Sequence, residues 1–351
     1  MGEDKQITHP LKGKKVAVTG ATGMLGHELA EQLIATGAVI RLVVRNASRV
    51  DAGLLSPDTG AKVTIFECEL VNPAELKQAF TDIDIVFHCA ARVNLQSDEN
   101  QDLIRTNTDM AHHVVNACLE TGVERLVHVS SIAALGEANA EGIITADSYP
   151  DSVAGWNAYG LSKFYSENEV WRGIRYGLKA TIVNPSIILG TGDWKGQGSP
   201  MLFAALSSGM PVYVPGTSGY VDVRDVAGAM IKLSTTPEAV GRRFILNGAN
   251  VSYKEFITLA AKSVGRKPPR WKIGRKGLNL IRTVLASTAK ITRTKPLLTE
   301  GLVNAALCTN RYDGDTVKEV IDFQYHSFEQ TIQYIAEAYL ADKNRRKLKQ
   351  L

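Results

Sequence analysis

Residues 14–26 read KKVAVTGATGMLG. A short apolar run ends at Thr19, three glycines follow at a spacing of three, and an amphipathic stretch begins at Met24. That order predicts a buried strand, a tight turn and the first turns of a helix. Gly20, Gly23 and Gly26 form G-x-x-G-x-x-G. Glycines let a backbone turn sharply and approach an anion closely, and the helix start offers unpaired N–H groups and the positive end of its dipole. A strand, a glycine loop and a helix in this order fit the pyrophosphate of a dinucleotide. Gly20, Thr22, Gly23, Met24, Leu25 and Gly26 are the candidate contacts. The alternative is an ordinary glycine-rich turn.

The pattern continues outward. AVIRLVV (38–44), KVTIF (62–66), DIVFH (84–88), RLVHVS (125–130), ATIVN (180–184) and RFILN (243–247) are short Val- and Ile-rich runs. Helical periodicity separates the early ones, from Met24 and from about residue 100 to 122. Strands buried on both faces and alternating with helices predict an α/β fold with a doubly wound parallel sheet. After Asn184 the pattern loosens into the glycine-rich loop GTGDWKGQGSP (190–200) and helical segments with little strand character. The reading is a dinucleotide-binding domain over 12–185 and about 222–247. A smaller, mostly helical substrate domain is expected over 186–221 and 248–340, and a frayed basic tail over 341–351.

Composition sets outer limits. In 351 residues, 44% are hydrophobic and 22% charged, as in globular proteins. No apolar run approaches the ~20 residues of a membrane span. The first residues, MGEDKQITHPLKGKK, lack the apolar core of a signal peptide. Cys68, Cys89, Cys118 and Cys308 lie far apart without a Cys-x-x-Cys, so neither disulfides nor zinc are expected. The expected compartment is the cytoplasm.

The second strand ends VVRNASR, with no acid between Gly37 and Val50. A fold that prefers NAD usually carries an acid there for the ribose 2′-hydroxyl. Arg45, followed by Ser48 and Arg49, suits a 2′-phosphate instead. NADP(H) is the expected cofactor and NAD(H) the alternative; a solvated Arg45, or one stacked on adenine, is the plainer reading.

Ser130 and Ser131 end the strand RLVHVS, and Tyr159 and Lys163 follow in NAYGLSKF (157–164). Tyr-x-x-x-Lys alone is a weak signal, and Tyr339–Lys343 repeats it as a decoy in a polar tail, where a solvated helix is expected. The first pair differs by its context, since both it and Ser131 are expected at the C-terminal edge of the sheet, where such folds bind ligands. A phenol titrates near ~10 and is a poor base at neutral pH. A neighbouring ammonium would lower that value and let Tyr159 move a proton to or from a substrate oxygen. Ser131 would donate a hydrogen bond to that oxygen, and Lys163 would hold the nicotinamide ribose.

Together TGATGMLG, VFHCAA (86–91), Asn107, VSS (129–131) and YGLSK (159–163) resemble the extended short-chain dehydrogenase/reductase superfamily over roughly residues 12–340. The resemblance implies a Rossmann-type fold with seven parallel strands. It implies that Tyr159 is the acid/base, Lys163 its activator, Ser131 the polarising group and Asn107 a residue that orders the lysine region. Ser130 is the substitute if the serine alignment slips by one. It places Ala90 and Ala91 beside the nicotinamide ribose, Glu69 and Leu70 near the adenine, and Pro185 at the cofactor.

His88 is expected to be a packed core histidine, and His112–His113 has no partner at metal-ligand spacing. Asp222 and Asp225 in YVDVRDVAGAM mark a helix start, with Asp225 a cap or packing anchor.

Nucleotide-sugar epimerases and dehydratases of this superfamily carry an Asn and an Arg where this chain has Ile187 and Ser218. NPSIILGTGD, VDVRDVA and the tail KPLLTEGLV…RYDGDTVKEVIDF resemble instead the dihydroflavonol-reductase-like and 3β-hydroxysteroid-dehydrogenase-like branch. That branch implies a secondary alcohol or ketone on a mostly apolar small molecule. The alternatives are a nucleotide-sugar enzyme and a non-catalytic dinucleotide-binding scaffold.

One stretch stands apart. Residues 266–295 hold ten Lys or Arg and no acid, with Leu278, Ile281, Leu285 and Ala289 at helical spacing. A peripheral membrane contact, a guard for a phosphate-bearing substrate and a solvated basic face are the three readings. No aromatic or groove-reading pattern supports nucleic acid. A homodimer or a monomer is expected.

Overall fold

The computed structural model describes residues 9–56, 62–93, 100–196, 198–292 and 300–348, the side chains of 286–292 and 347–348 excepted. The strands are β1 (Lys15–Thr19), β2 (Val39–Val44), β3 (Lys62–Glu67), β4 (Ile85–His88), β5 (Arg125–Val129), β6 (Ala180–Pro185), β7 (Ile187–Leu189), β8 (Val212–Tyr213), β9 (Thr217–Asp222), β10 (Arg243–Leu246), β11 (Ala249–Ser252) and β12 (Trp271–Lys272). The helices are α1 (Met24–Ala35), α2 (Pro73–Phe80), α3 (Gln101–Thr121), α4 (Ala158–Arg175), α5 (Ser199–Leu206), α6 (Val223–Thr235), α7 (Tyr253–Ser263), α8 (Arg275–Thr292), α9 (Glu300–Leu307) and α10 (Phe328–Leu348).

Seven parallel strands form the central sheet in the order β10-β6-β5-β4-β1-β2-β3. Strand order reverses between β1 and β4, and a crevice opens there at the strand ends. The doubly wound Rossmann-type sheet expected above is therefore present. Helices α1 and α6 close one face, over a core that includes Leu29, Leu33, Val226 and Met230. Helices α2, α3 and α4 close the other, over Leu76, Val114, Val115 and Val170. The α3 boundaries follow local chemistry. Asn100 caps its start by accepting the Leu103 N–H at 3.0 Å, and Gly122 ends it at φ +72°, a conformation other residues rarely adopt.

Two expectations need correcting. The region after Asn184 is not merely helical: β11-β9-β7 form a three-stranded sheet and β12-β8 a two-stranded one. These strands run two to six residues, too short to leave clear periodicity. Nor does a frayed tail begin at 341, because α10 continues to Leu348. The decoy Tyr339 lies on that helix with its ring against Trp194 (5.2 Å) and Phe203 (5.9 Å), so it packs into a core rather than a solvated end.

Candidate active site

The site is built where β1 and β4 end. Gly20 has φ +77°, and a Cβ there would sit 2.7 Å from the Ala90 backbone nitrogen. A Cβ on Gly26 would fall 2.2 Å from the Gly20 carbonyl oxygen, so helix α1 can enter the loop only with glycine there. Gly23 caps α1 without a side chain, leaving the first N–H groups to point outward. Beside this loop lies a cavity of about 540 Å³, lined by Gly20, Thr22, Gly23, Arg45, Glu69, Leu70, Ala90 and Ala91 among others. Open donors at a helix start and a loop that excludes Cβ atoms fit a dinucleotide pyrophosphate.

The other expected contacts are distributed differently. Met24 lines a neighbouring cavity of about 910 Å³, together with His27, Gly192, Ser199 and Tyr334. Leu25 and Gly26 are buried behind the loop and Pro185 is buried at the end of β6. Beyond the end of β2, Arg45 and Arg49 are exposed and line a recess of about 180 Å³ with Thr22, Asn46 and Glu69. Neither guanidinium forms an ion pair among the described residues.

The second part of the site sits at the end of β5. Asn157 caps α4 by accepting the Gly160 N–H at 2.8 Å, which fixes where the helix begins. A Cβ on Gly160 would reach the Ala133 carbonyl oxygen at 3.0 Å, so glycine lets α4 sit close to the turn that follows Ser131. Tyr159 and Lys163 then lie one turn apart on one face. The Ser131 hydroxyl lies beside the Tyr159 phenol and accepts the Ala133 N–H at 3.1 Å. Lys163 is 5% exposed and donates from Nζ to the Val129 carbonyl at 3.1 Å.

Electrostatics here depart from the sequence reading. Burial raises the Tyr159 pKa above its ordinary value, with the neighbouring Ser131 hydroxyl acting the other way. The expected depression by the neighbouring ammonium is absent, because burial lowers the Lys163 pKa to about 8, against the opposing influence of Cys89 and Glu167, so that the lysine, charged at neutral pH, loses its proton below the pH at which the buried phenol would ionise. The protein alone therefore keeps the phenol protonated at neutral pH.

Asn107 holds two elements together. Its Oδ1 accepts the Arg92 N–H at 2.8 Å, and its Nδ2 donates to the Arg92 carbonyl at 2.9 Å and to Ser162 Oγ at 3.0 Å. Ser162 Oγ in turn donates to the Tyr159 carbonyl at 2.8 Å. Asn107 thus pins the segment after β4, which lines the cofactor-sized cavity, to the first turn of α4.

Sequence reasoning missed Glu167. It lies one turn beyond Lys163 and is 3% exposed. Its Oε2 accepts from Ser130 Oγ at 2.6 Å and Asn184 Nδ2 at 2.9 Å; its Oε1 accepts from Arg243 Nη1 at 2.9 Å and Trp171 Nε1 at 3.2 Å. The network ties α4 to β6, β10 and the end of β5. It also decides between the two serines: Ser130 is held by Glu167, which leaves Ser131 for Tyr159. The available signal was the i, i+4 step from Lys163, which places an acid on the same buried face.

The histidines are structural. His88 is buried, with Nδ1 2.7 Å from Thr19 Oγ1, and its ring lies 5.2 Å from that of buried His128. Burial pushes the His88 pKa down to about 3, and lowers that of His128 as well. Both fold as neutral rings, whereas an unfolded histidine takes up a proton near 6.5. Their contribution to stability is present above that value and lost as pH falls from 6.5 toward 3. Each can remove at most about 1.4 kcal/mol per pH unit. The fall in melting temperature between about pH 7.5 and about pH 5 should shrink in His128→Leu; an unchanged fall would assign the acid sensitivity to other groups.

His112 Nδ1 meets Glu169 at 2.9 Å in an α3–α4 polar contact, and no metal-binding cluster occurs among the described residues. Asp222 caps α6 by accepting the Arg224 N–H at 2.9 Å. Asp225 anchors His326, accepting its backbone N–H at 2.8 Å and lying 2.6 Å from its ring Nδ1.

A dinucleotide loop at the β1–β4 crevice and a Ser, Tyr and Lys set beside it define an NAD(P)-dependent enzyme of the extended short-chain dehydrogenase/reductase type. The chain belongs to the NAD dependent epimerase/dehydratase family, whose model matches residues 16–247. It is 31% identical to cinnamoyl-CoA reductase 1 of Petunia hybrida over 245 residues, 66% of this chain and 72% of that one. It is 28% identical to sterol demethylase protein B of Methylococcus capsulatus over 257 residues, covering 73% of this chain and 76% of that one. The crystal structure of gox2253 matches with a TM-score of 0.78 at 27% identity, covering 94% of this chain and 99% of that chain.

Proposed function

We propose that this enzyme is an NADP(H)-dependent oxidoreductase acting on the carbonyl or secondary alcohol of a mostly apolar small molecule. The observation that carries the reading is the Ser131 hydroxyl beside the Tyr159 phenol at the sheet edge, with the phenol kept protonated by burial. A bound nicotinamide supplies or accepts the hydride. Ser131 donates a hydrogen bond to the substrate carbonyl oxygen, and Tyr159 delivers its proton to that oxygen as negative charge develops. Lys163, held by Val129, keeps a positive charge under the phenol as the proton leaves. A protonated Tyr159 suits reduction; oxidation uses the same groups in reverse.

Two features favour an apolar substrate over a nucleotide sugar. Ile187 lies on β7, and Ser218 lies buried on β9, so neither position offers the amide or guanidinium that a sugar diphosphate would need. The relatives named as acting on cinnamoyl-CoA and sterols agree with this direction. The test follows NADPH consumption against apolar ketones, aldehydes and acyl-CoA thioesters, and separately follows conversion of UDP-glucose in the presence of NAD by chromatography of the sugar nucleotide, because that reaction consumes no NADPH. Turnover of UDP-glucose alone would overturn the substrate class, and NADPH binding without turnover on any member would favour a scaffold.

Cofactor choice has its own test. Arg45 and Arg49 at the recess beyond β2 support NADP(H). Arg45→Ala should reduce the NADPH-over-NADH ratio of kcat/KM by about 10- to 100-fold, the loss of one charge-assisted pair. An unchanged ratio would remove Arg45 from cofactor selection.

A further inference from the structure

We infer that the basic segment around α8 is a docking surface for an anionic lipid bilayer. Arg266, Lys267, Arg270, Lys272, Arg275 and Lys276 are all exposed, and none forms an ion pair among the described residues. Arg282 differs, with Nη1 3.2 Å from Glu300. Into this uncompensated positive field the chain places exposed apolar groups: Trp271 (65%), Leu280 (67%), Val284 (54%) and Ile281 (39%). Single exposed apolar residues need no explanation, but four of the twelve large ones among the described residues fall between 271 and 284.

Helical geometry sorts the faces. Leu280, Ile281 and Val284 stand at i, i+1 and i+4 and form one outward stripe, while Leu278 is 6% exposed and packs inward. Ile273 and Gly274 alone separate Trp271 and Lys272 of β12 from the helix. Arg275 and Lys276 occupy the first turn of α8, which carries no acid. Cations there oppose the helix dipole, so helix stability does not account for them. A cationic helix with exposed aliphatic groups and a nearby tryptophan matches what lies in a headgroup layer. Each exposed cation near an anionic leaflet adds to the attraction.

Charge selects this occupant over two others. A second copy docked through the same patch would bring six unpaired cations against six. A nucleic acid would satisfy the cations and leave Leu280 and Val284 facing water. The inference stands on this surface and not on the substrate proposed above.

The experiment is flotation of the full-length protein with vesicles of phosphatidylcholine alone, or with a quarter phosphatidylglycerol. Binding to the anionic vesicles should exceed binding to neutral ones by about tenfold or more and fall with salt. Leu280→Ser with Val284→Ser, and separately Lys272→Gln with Arg275→Gln and Lys276→Gln, should each weaken it by about tenfold. NADPH turnover and melting temperature report that both variants are folded. Failure to float with either vesicle, or equal binding to both, would overturn the inference. Undiminished binding by the Leu280/Val284 variant would reduce it to nonspecific charge adsorption and overturn it too. Tight retention on RNA without vesicle binding would replace it with a nucleic-acid surface.

Discussion

Tyr159→Phe should lower kcat by about 10²- to 10⁴-fold, the range of general acid catalysis, while leaving NADPH affinity within a few-fold of the wild type. The substitution removes one hydroxyl. It leaves the α4 cap at Asn157, the glycine contact at Gly160 and the lysine hydrogen bond to Val129 in place. The loss therefore reports proton delivery and not misfolding. Ser131→Ala should fall on the same side with a smaller effect, because Tyr159 still protonates the oxygen once a hydrogen-bond donor is gone. Single-turnover rates with saturating NADPH measure both. Turnover in Tyr159→Phe equal to wild type would remove Tyr159 from the chemistry, and with it the reading of Lys163 as its support.

The largest stability effect should come from Arg243, more than seventy residues from Glu167 in sequence. Arg243→Met leaves the Glu167 carboxylate buried with neutral donors only: Ser130, Asn184 and Trp171. Breaking one side of a buried ion pair costs about 3–5 kcal/mol. For a chain of this size that corresponds to a fall in melting temperature of roughly 4–7 °C. Arg243→Met with Glu167→Gln should recover much of the loss, because the buried charge is then gone from both sides. Thermal denaturation of the three variants tests this. A single variant that melts within about 2 °C of the wild type would show that solvent or rearrangement satisfies Glu167, and that the network does not fasten α4 to the sheet.

The two effects are linked by position. Glu167 and Lys163 share one helix face, so the network that stabilises the fold also sets where Tyr159 stands relative to Ser131. A loosened α4 should lower kcat in Arg243→Met even under conditions where that variant remains folded.

The sequence carried much of this plan because the information was local. Gly20, Gly23 and Gly26 follow a strand and precede a helix, and that order alone predicts the loop geometry. Val- and Ile-rich runs with helices between them predicted every strand of the central sheet to within a residue or two. The pairing of Ser131 with Tyr159 was legible as the ends of two elements that a parallel sheet brings to one edge. Local patterns failed where the determining contact is made across the chain. Of the strands added after Asn184, β7, β8 and β12 left no periodicity, since two or three residues cannot show one. Tyr339 read as a solvated decoy because the Trp194 and Phe203 rings that enclose it lie far away in sequence.

What the amino-acid order determined was therefore the sheet, the glycine loop and the gathering of Ser131, Tyr159 and Lys163 at one sheet edge. Only the tertiary structure decided their states. Burial keeps the Tyr159 phenol protonated and lowers the Lys163 ammonium to about 8, where proximity alone had suggested the reverse for the tyrosine. Ser130 and Ser131 are identical in sequence and differ only because Glu167, itself fixed by Arg243 from another strand, takes the first and leaves the second. Desolvation and hydrogen-bond partnership depend on what the rest of the chain places around a group, and no local pattern contains that.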